Sequence, residues 1–414
     1  MKKNLLNIIG LVLAINIYVF SIDKFQFSYL VFYLILFFVL TFILLKDIIL
    51  FKNEVILHST SVIYIILTLL YTKDFNAGFR FTAFFIVFIL IKLVLNNSNE
   101  WHDTFYKGVL LFSFILMMFT YYQYFFPGDY INNVLPLFNN AQQADIIKLM
   151  RSSSMTGLTS QTSDNAFLLS IGFGVLLNKL LYNRKSNKLL YLCSLLYVIA
   201  ILMTMKRSFI IANIFCVFAM FTIQIKFNSR KLKSFIKYSS LISILLIIIF
   251  LFRSSESLLK IIIERFTFTN LRDFTSGRNY IYLAGFDMFY QSPLIGHGIY
   301  SVPSVFAIKY NLLGIQQMHN IYLQFMAELG IIGTIIIVTI IIYNYQKTFR
   351  VFRKAYSNKN LKLKFMIGSS FYVQTLWIIY GFFGNPFTEH VFLLIYILAT
   401  AISYYYYKER KTFQ

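Results

Sequence analysis

Three arginines and one histidine are the side chains of this sequence best suited to chemistry on a charged substrate. Arg278 follows a Ser-Gly pair, Arg151 begins the polar stretch RSSSMTG, Arg207 follows a lysine, and His319 precedes an asparagine. An arginine side chain offers a fixed fork of N–H donors that matches the oxygens of a phosphate group. Because three such side chains from separate segments could meet at one anion, the sequence predicts a diphosphate or a similar anion as ligand. Their charge-assisted hydrogen bonds would also stabilise that diphosphate as a leaving group.

The apolar stretch from Tyr280 to Tyr290 predicts a short helix that begins at Arg278 and stops at Ser292-Pro293. The free N–H groups and the positive dipole end of a helix start add to the charge of the guanidinium group. The pattern therefore favours a phosphate site at this helix start. The alternative is an amphipathic helix that is anchored among lipid headgroups.

His319 lies where a polar stretch meets a long apolar one, and its ordinary pKa near neutrality would let it take a proton from a hydroxyl group. A structural role is the alternative for a lone histidine. Glu328 follows about two turns into the apolar stretch, where an ionised carboxylate is costly, so we predict that it faces other helices and finds a partner there. Gly330 and Gly333 are predicted to allow close packing of helices at the same level.

The composition places all of these residues in a membrane protein. Of the 414 residues, 58% are hydrophobic, 19% aromatic and 13% charged, and the mean hydropathy is +0.68. A soluble domain of this size could not bury so much apolar surface. We therefore predict an all-α, polytopic integral membrane protein, with a single domain over 1–414, about 12 transmembrane helices and a large helical extracytoplasmic loop. The predicted spans are 4–22, 26–45, 55–72, 79–96, 105–126, 164–183, 189–205, 208–225, 236–252, 321–345, 363–382 and 388–406.

The basic residues set the predicted orientation, with both termini in the cytoplasm. Most of the 38 lysine and arginine residues then lie on the inner side, where Lys226 to Lys237 and Lys347 to Lys364 are predicted to be anchors at the lipid headgroups. The outer side is richer in arginine, which anchoring alone does not explain. The net charge of +22 lies in short loops rather than in one stripe, so nucleic acid is not a predicted partner.

Two predicted outer loops are long, 127–163 and 253–320, and the chemistry is predicted to lie between them. The sequence has no Asp-x-Asp or His-x-x-x-His pattern and no close pair of outer carboxylates. Sugar transfer through a bound metal ion is therefore not expected. A glycine-rich phosphate loop and a nucleophile elbow are also missing, which disfavours ATP hydrolysis and serine hydrolase chemistry.

The motif region, about 277–333, resembles the O-antigen ligase and Wzy-type polysaccharide polymerase family. The resemblance is carried by Gly277-Arg278, by PLIGHG from Pro293 and by HNxxLQxxAELGxxG from His319. Arg151 and Asn165 match the family's earlier outer loop more loosely. The resemblance implies a glycosyltransferase that moves a glycan from undecaprenyl diphosphate to an acceptor sugar hydroxyl, outside the cytoplasmic membrane and with no metal or other cofactor.

The resemblance also assigns roles to residues of this chain. His319 and Arg278 are implied as catalytic, with His319 orienting or deprotonating the acceptor hydroxyl. The residues that we predict to bind the diphosphate are Arg151, Arg207, Arg278, Arg272 and Arg265. The supporting residues are Asn320, Glu328 and Asn165.

Alternatives remain open at this point. A polymerase would extend another lipid-linked repeat, for capsule, exopolysaccharide or O-antigen synthesis, whereas a ligase would use another acceptor; the bias toward Lys, Asn, Ile, Phe and Tyr favours the polymerase. The implied partners are the undecaprenyl-diphosphate-linked oligosaccharide, membrane lipids, a flippase and chain-length regulator proteins. From a different class, a flippase or exporter of the same lipid-linked sugars would need a charged path across the bilayer. A non-catalytic membrane scaffold is a further alternative.

Overall fold

The computed structural model describes residues 2–19, 29–44, 48–49, 51–182, 188–225, 278–310, 312, 314, 317–357 and 360–412. This part of the chain is helical and contains no strand, which confirms the predicted all-α class. The helices are α1 (Lys2–Val19), α2 (Tyr29–Leu44), α3 (Lys52–Thr68), α4 (Phe75–Leu95), α5 (His102–Phe125), α6 (Pro127–Asn133), α7 (Asn140–Arg151), α8 (Thr162–Tyr182), α9 (Lys188–Met203), α10 (Arg207–Ile225), α11 (Asn279–Gln291), α12 (Val302–Tyr310), α13 (Ile321–Ser357), α14 (Leu361–Tyr380) and α15 (His390–Thr412).

Five of the described helices are long and apolar enough to cross a membrane: α4, α5, α8, α13 and α15. A helix suits this environment because it satisfies its backbone hydrogen bonds within itself, where lipid offers no partners. Shorter apolar helices, such as α2 and α9, accompany them. The prediction of a helical membrane protein is confirmed at this level.

Every predicted span that lies within the described residues coincides with a helix, and the span 236–252 lies outside them. The total of twelve spans, their orientation and the extracytoplasmic placement of the long loops stay predictions. The first of these loops contains α6 and α7, and α7 begins with a reciprocal capping box between Asn139 and Gln142. The described part of the second loop contains α11 and α12.

The centre of the bundle is formed by α8, α14 and α15. In the apolar window of α8, 78% of the residues are buried, against 44% in that of α5. Phe167 of α8 stacks on Phe392 of α15, with ring centroids 3.8 Å apart, and Gly174 lets the Tyr372 ring of α14 lie directly on the α8 backbone. Large apolar side chains such as Phe42, which is 86% exposed, lie on the outside, as contact with lipid requires.

A buried ion pair joins α3 to α4 at the end of the bundle where α4 finishes. Lys92 Nζ lies 2.9 Å from Glu54 Oε1, and both side chains are 1% exposed. The same ammonium group also lies 2.8 Å from His58 Nε2 and donates to Asn344 Oδ1 at 3.1 Å. Buried charges are costly unless they are paired and hydrogen-bonded. Sequence analysis had singled out Glu328 as the charge within the spans and had not predicted this pair.

Candidate functional site

A break in α13 organises the motif region. Gly330 adopts φ 63° and ψ −171°, a backbone conformation that is essentially restricted to glycine, and α13 kinks there. The break leaves carbonyl and N–H groups on either side without partners inside the helix. The segment 293–298 supplies the missing partners, so this segment is docked into the kink.

Four backbone hydrogen bonds make this docking. The N–H groups of His297 and Gly298 donate to the Ala327 and Glu328 carbonyls, at 3.1 and 2.8 Å. On the other side of the kink, Ile331 and Ile332 donate to the Pro293 and Leu294 carbonyls, at 2.8 and 3.2 Å. Sequence analysis predicted that Gly330 allows close helix packing; the structure corrects this, because Gly330 ends one helical segment and lets the chain bind another backbone.

Gly333, by contrast, does serve close packing. A Cβ at Gly333 would collide with the ring of Tyr64 on α3. The Tyr64 hydroxyl donates to the Leu329 carbonyl at 2.7 Å, and this carbonyl is another group that the kink leaves available. The packing role predicted for Gly333 is therefore confirmed, and α3 is tied to the kink as well.

Arg278 stands at the start of α11, as predicted. It is the N-cap residue, its side chain makes no capping bond, and its Nη1 donates to the Phe383 carbonyl at 3.1 Å. The guanidinium group is thus held between the start of α11 and the connection from α14 to α15. A cation at a helix start reinforces the positive end of the helix dipole, which makes this position attractive to an anion.

His319 is held in a strained backbone conformation directly before α13. Its φ is 55°, a value that is uncommon for any residue other than glycine. On one side Met318 is fully buried, and on the other the Asn320 side chain caps α13 by accepting from the Tyr322 and Leu323 N–H groups, each at 3.1 Å. The supporting role predicted for Asn320 corresponds to this cap. Strain of this kind persists only where the surroundings fix it, as they do here.

Arg278 and His319 line one cavity of about 550 Å³ at the end of the bundle where α8, α10 and α15 begin. Its polar lining consists of Tyr29, Tyr33, Ser160, Gln161, Ser163, Asp164, Lys206, Ser208, Arg278, Gln317, His319, Tyr380, Asn385, Glu389 and His390. A volume of this size lies within the range of sites that bind small molecules. Six segments distant in sequence contribute to it, so it exists only in the folded chain.

The charges of the cavity are mixed. Lys206 and Arg278 are its cations, and Asp164 and Glu389 are carboxylates in the same lining. Burial and, to a smaller extent, the positive charges of Arg278 and Lys206 together lower the pKa of His319 to about 4, so the imidazole is neutral near pH 7. Burial raises the pKa of Glu389, while a hydrogen bond from Gln317 Nε2 at 2.7 Å opposes that shift.

The loop that leads into α8, whose first turn carries Asp164, is fixed by buried amides. Gln123 Oε1 accepts from the N–H groups of Thr156 and Gly157, at 2.7 and 2.8 Å. Asn165 Nδ2 donates to the Met155 carbonyl at 3.1 Å, and the side chain is fully buried. Asn165 is absent from the cavity lining among the described residues, so its contribution is to position this loop.

Glu328 is not among the described residues that line the cavity, but hydrogen bonds connect it to the cavity wall. It is 1% exposed, its Oε1 accepts from the Val302 N–H at 3.1 Å, and Gln324 Nε2 donates to it at 3.1 Å. Gln324 in turn accepts a short hydrogen bond from Asn385, which does line the cavity. The prediction that Glu328 finds a partner inside the protein is confirmed, and its partners join α13 to the start of α12 and to the cavity wall.

Comparison with known families supports the motif-based interpretation. A family model described as O-antigen ligase matches residues 192–338. The match confirms the resemblance to the O-antigen ligase family. None of the curated proteins matches this chain. Members of the O-antigen ligase family transfer glycans, as ligases or polymerases.

The O-antigen ligase match spans Arg207, Arg278 and His319, but the structure does not place all predicted anion ligands in the cavity. Arg207 is the first residue of α10. Its neighbours Lys206 and Ser208 line the cavity, but Arg207 is not among the described lining residues. Arg151 ends α7 with an exposed side chain and is likewise not among the described lining residues. Arg265 and Arg272 lie outside the described residues.

Sequence reasoning missed several residues that line this cavity. Asn385 and Glu389 stand in the short connection between α14 and α15; the predicted spans had left Asn385 in a link and had placed Glu389 inside the span 388–406. The available signal was the polar string Asn385-Pro-Phe-Thr-Glu389-His390 at the start of an apolar helix. Within the described residues, no group of three or more His, Cys, Asp or Glu side chains is placed to hold a metal ion.

Proposed function

We propose that this chain is a polymerase that transfers undecaprenyl-diphosphate-linked oligosaccharide repeat units onto a lipid-linked acceptor glycan at the outer face of the cytoplasmic membrane. The product would serve capsule, exopolysaccharide or O-antigen synthesis. The observation that carries the proposal is the shared cavity of Arg278, Lys206 and His319, at one end of a membrane helix bundle. It provides cations for a diphosphate and a neutral imidazole for a hydroxyl proton.

In the proposed reaction, an acceptor hydroxyl oxygen forms a bond to the anomeric carbon of the donor sugar. The bond from that carbon to the diphosphate oxygen breaks, and the lipid diphosphate leaves with the electron pair. Arg278 and Lys206 would stabilise the charge that develops on the leaving group. The hydroxyl proton would pass to His319, which the left-handed backbone and the Asn320 cap hold at the cavity wall.

The charge of the donor bears directly on whether His319 can act as a base. In the unliganded site burial lowers the pKa of His319 most, and Arg278 and Lys206 lower it as well, which weakens the imidazole as a proton acceptor. A bound diphosphate would offset the charge of those two cations, so the part of the pKa shift that they cause would be removed once the donor is in place. His319 would then be a stronger base in the enzyme that holds the donor than in the empty enzyme. The donor-bound state is the one in which an acceptor can react.

A ligase is the second candidate, because the family match fits it equally well. Donor, leaving group and proton acceptor would be the same in both reactions. The acceptor alone separates them, since a polymerase uses a second lipid-linked repeat and a ligase uses another glycan or a protein. The test must therefore identify the product as well as the rate.

The proposal is tested with the purified chain in proteoliposomes that contain an oligosaccharide linked to a polyprenyl diphosphate and labelled in the sugar. We expect His319→Ala to lower the rate of chain growth by roughly 10²–10⁴-fold, as loss of a general base does. Loss of one group that stabilises leaving-group charge, in Arg278→Ala, is expected to cost roughly 10²–10³-fold. Arg80→Ala is the matched control, because Arg80 is an exposed arginine of α4 that does not line the cavity.

The products decide between the classes of function. Growth of the lipid-linked glycan with release of lipid diphosphate supports a polymerase, and transfer only to a different added acceptor supports a ligase. Wild-type polymer from both His319→Ala and Arg278→Ala would overturn the assignment of this cavity. Movement of the labelled lipid across the membrane with no new glycosidic bond would instead identify a flippase.

A further inference from the structure

One side of α11 exposes large apolar side chains. Its opposite side is buried in a small core that α11 shares with α12 and the start of α13. The exposed side carries Leu283, Phe286 and Tyr290, and the segment 293–298 continues it with Leu294 and Ile295. Leu283 is 70% exposed and Tyr290 74%. We call these five side chains the apolar face, and a patch of this kind marks a surface that contacts lipid or a partner.

Polar side chains follow the apolar face along one edge of α11. In a helix of 3.6 residues per turn, Phe286, Tyr290 and Leu283 lie within a sector of about 60°. Asp287 lies about 40° beyond Leu283, and Gln291 lies about 40° beyond Asp287. One strip of α11 is therefore apolar and the strip beside it is polar. This pattern is typical of a helix that lies in the surface of a membrane.

The polar edge requires water or lipid headgroups around it. The Asp287 carboxylate accepts from Gln291 Nε2 at 2.7 Å and, in a short hydrogen bond, from the Tyr310 hydroxyl. Lys309 Nζ lies 4.0 Å from the same carboxylate, and both charged side chains are about half exposed. A carboxylate and an ammonium group with this exposure would be costly in hydrocarbon. This edge therefore faces a polar medium.

The apolar face continues onto a helix that can cross a membrane. The N–H groups of Ile331 and Ile332 in α13 donate to the Pro293 and Leu294 carbonyls, so the docked segment lies directly beside this part of α13. Ile331, Ile332 and Ile335 are themselves exposed, and α13 is one of the described helices that are long and apolar enough to span a bilayer. Exposed apolar side chains of a spanning helix face lipid. The apolar face lies beside them.

A bilayer surface fits this arrangement better than a protein partner does. A second copy of the chain, or a soluble protein, would have to cover Leu283 and Tyr290 while it also accommodated the charged edge and the exposed isoleucines of α13. A leaflet offers an apolar phase directly beside a charged one. Tyr290 combines an apolar ring with a hydroxyl group, and tyrosine is enriched where these two phases meet.

We propose that α11 is an interfacial helix. Its apolar face lies among the acyl chains of the leaflet at the end of the bundle that carries the candidate site, and its polar edge lies among the headgroups. Arg278, the N-cap residue of α11, is thereby held at the level of the lipid phosphates. The phosphate site and the headgroup-anchored helix, which the sequence left as alternatives, are then two properties of one helix. The proposal does not depend on the reaction, because the apolar face does not line the cavity.

The test measures the depth of added tryptophan side chains in proteoliposomes of the purified full-length chain. The chain has two tryptophans of its own, and both are fully buried, so the emission of wild type can be subtracted. L283W and Y290W each place an indole ring on the apolar face, and Y290W keeps an aromatic ring there if L283W does not fold. Q291W is the matched control on the polar edge, and I335W reports on the exposed side of α13.

Two quenchers approach the indole rings from different phases. Phosphatidylcholine that is brominated at a shallow or a deep acyl position quenches from the lipid, and acrylamide, which is uncharged, quenches from the water. We expect L283W and Y290W to lie about 5–10 Å below the headgroup boundary and to be quenched weakly by acrylamide. Q291W should lie at a shallower depth and be quenched more strongly by acrylamide. I335W should be quenched from the lipid.

Four results would overturn the proposal. Quenching of L283W and Y290W by acrylamide alone would place the apolar face in water. Protection of both variants from both quenchers would show that protein covers this face, from a second copy or from another part of the chain. Equal depths for Q291W and L283W would contradict the headgroup position of the polar edge. Failure of brominated lipid to quench I335W would remove the adjoining part of α13 from the bilayer.

Discussion

Substitution of Gly330 by alanine tests whether docking into the kink of α13 holds the candidate site together. The docked segment follows α11, whose start carries Arg278, and the kinked helix follows His319. Weaker docking of the segment 293–298 would therefore change the position of Arg278 relative to His319. We expect Gly330→Ala to lose stability and glycan transfer together, with no change to any residue that lines the cavity.

The magnitude follows from two contributions. Holding alanine at φ 63° and ψ −171° costs about 1–3 kcal/mol. The added Cβ would also collide with the Leu294 carbonyl and the Ile295 nitrogen. Relief of that collision moves the segment away and breaks the bonds from Ile331 and Ile332, at about 1 kcal/mol each. The sum is about 3–5 kcal/mol, which is a large fraction of the 5–15 kcal/mol that typically stabilises a folded domain.

The assay is thermal unfolding of the purified variants in detergent, followed by the chain-growth assay at a temperature where each variant is folded. Gly296→Ala perturbs the same interface from the other side, since its φ is 73° and its Cβ would meet the Glu328 carbonyl, and it should match Gly330→Ala. Gly128→Ala is the control, because a Cβ there meets nothing within 4 Å. If Gly330→Ala melts together with Gly128→Ala and keeps wild-type activity, the kink does not hold the site as argued.

Three further predictions follow from the geometry of the cavity. The acidic limb of the pH profile of kcat/KM should lie near pH 4, because His319 is neutral only above its lowered pKa. Lys206→Gln removes one of the positive charges that lower this pKa, so it should move the limb to higher pH. A wild-type limb at about pH 6.5, the ordinary pKa of histidine, that Lys206→Gln leaves in place would contradict this. Gln123→Ala leaves two buried N–H groups unpaired and should cost about 2–4 kcal/mol in thermal unfolding, against about 0.5 kcal/mol or less for the exposed control Gln291→Ala. Arg151→Ala should keep most of the chain-growth rate while Lys206→Ala lowers it, because only the lysine lines the cavity; the reverse ranking would favour the sequence-based assignment.

The helices were predictable because their signal is local. A run of apolar residues long enough to cross a bilayer must satisfy its own backbone, and only a helix does so within one segment. The same reasoning located the start of α11 at Arg278, where a Ser-Gly pair precedes an apolar stretch and Ser292-Pro293 ends it. Local patterns of this kind do not depend on how the helices are arranged.

Which of two neighbouring cations lines the cavity could not be predicted in the same way. Lys206 and Arg207 stand at the start of α10, and successive residues of a helix point about 100° apart around its axis. A shift of one residue in where the helix begins therefore decides which side chain reaches the cavity. Sequence analysis chose Arg207 for its chemistry, while the structure places Lys206 in the lining.

Glu389 shows a different limit. Its chemistry was visible, but its distance along the chain from Arg278 and His319 gave no reason to join them. The contact arises because the connection between α14 and α15 also receives the hydrogen bond from Arg278 to the Phe383 carbonyl. Helix packing brings these distant residues together. A single sequence does not show which residues will meet, because local patterns predict helices and not how the helices pack.

α13 connects the two ends of the bundle. His319 lies two residues before its first residue, and Asn344 in its second half accepts from Lys92 of the buried ion pair, so this kinked helix links the candidate site to that ion pair. The docked segment at Gly330 and the hydroxyl of Tyr64 hold the first part of this helix. In the last part, Lys347 Nζ lies 4.1 Å from the ring centroid of Tyr404 on α15. These contacts hold the helix on both sides of its kink, so the position of His319 at the cavity depends on how α13 packs along the whole bundle.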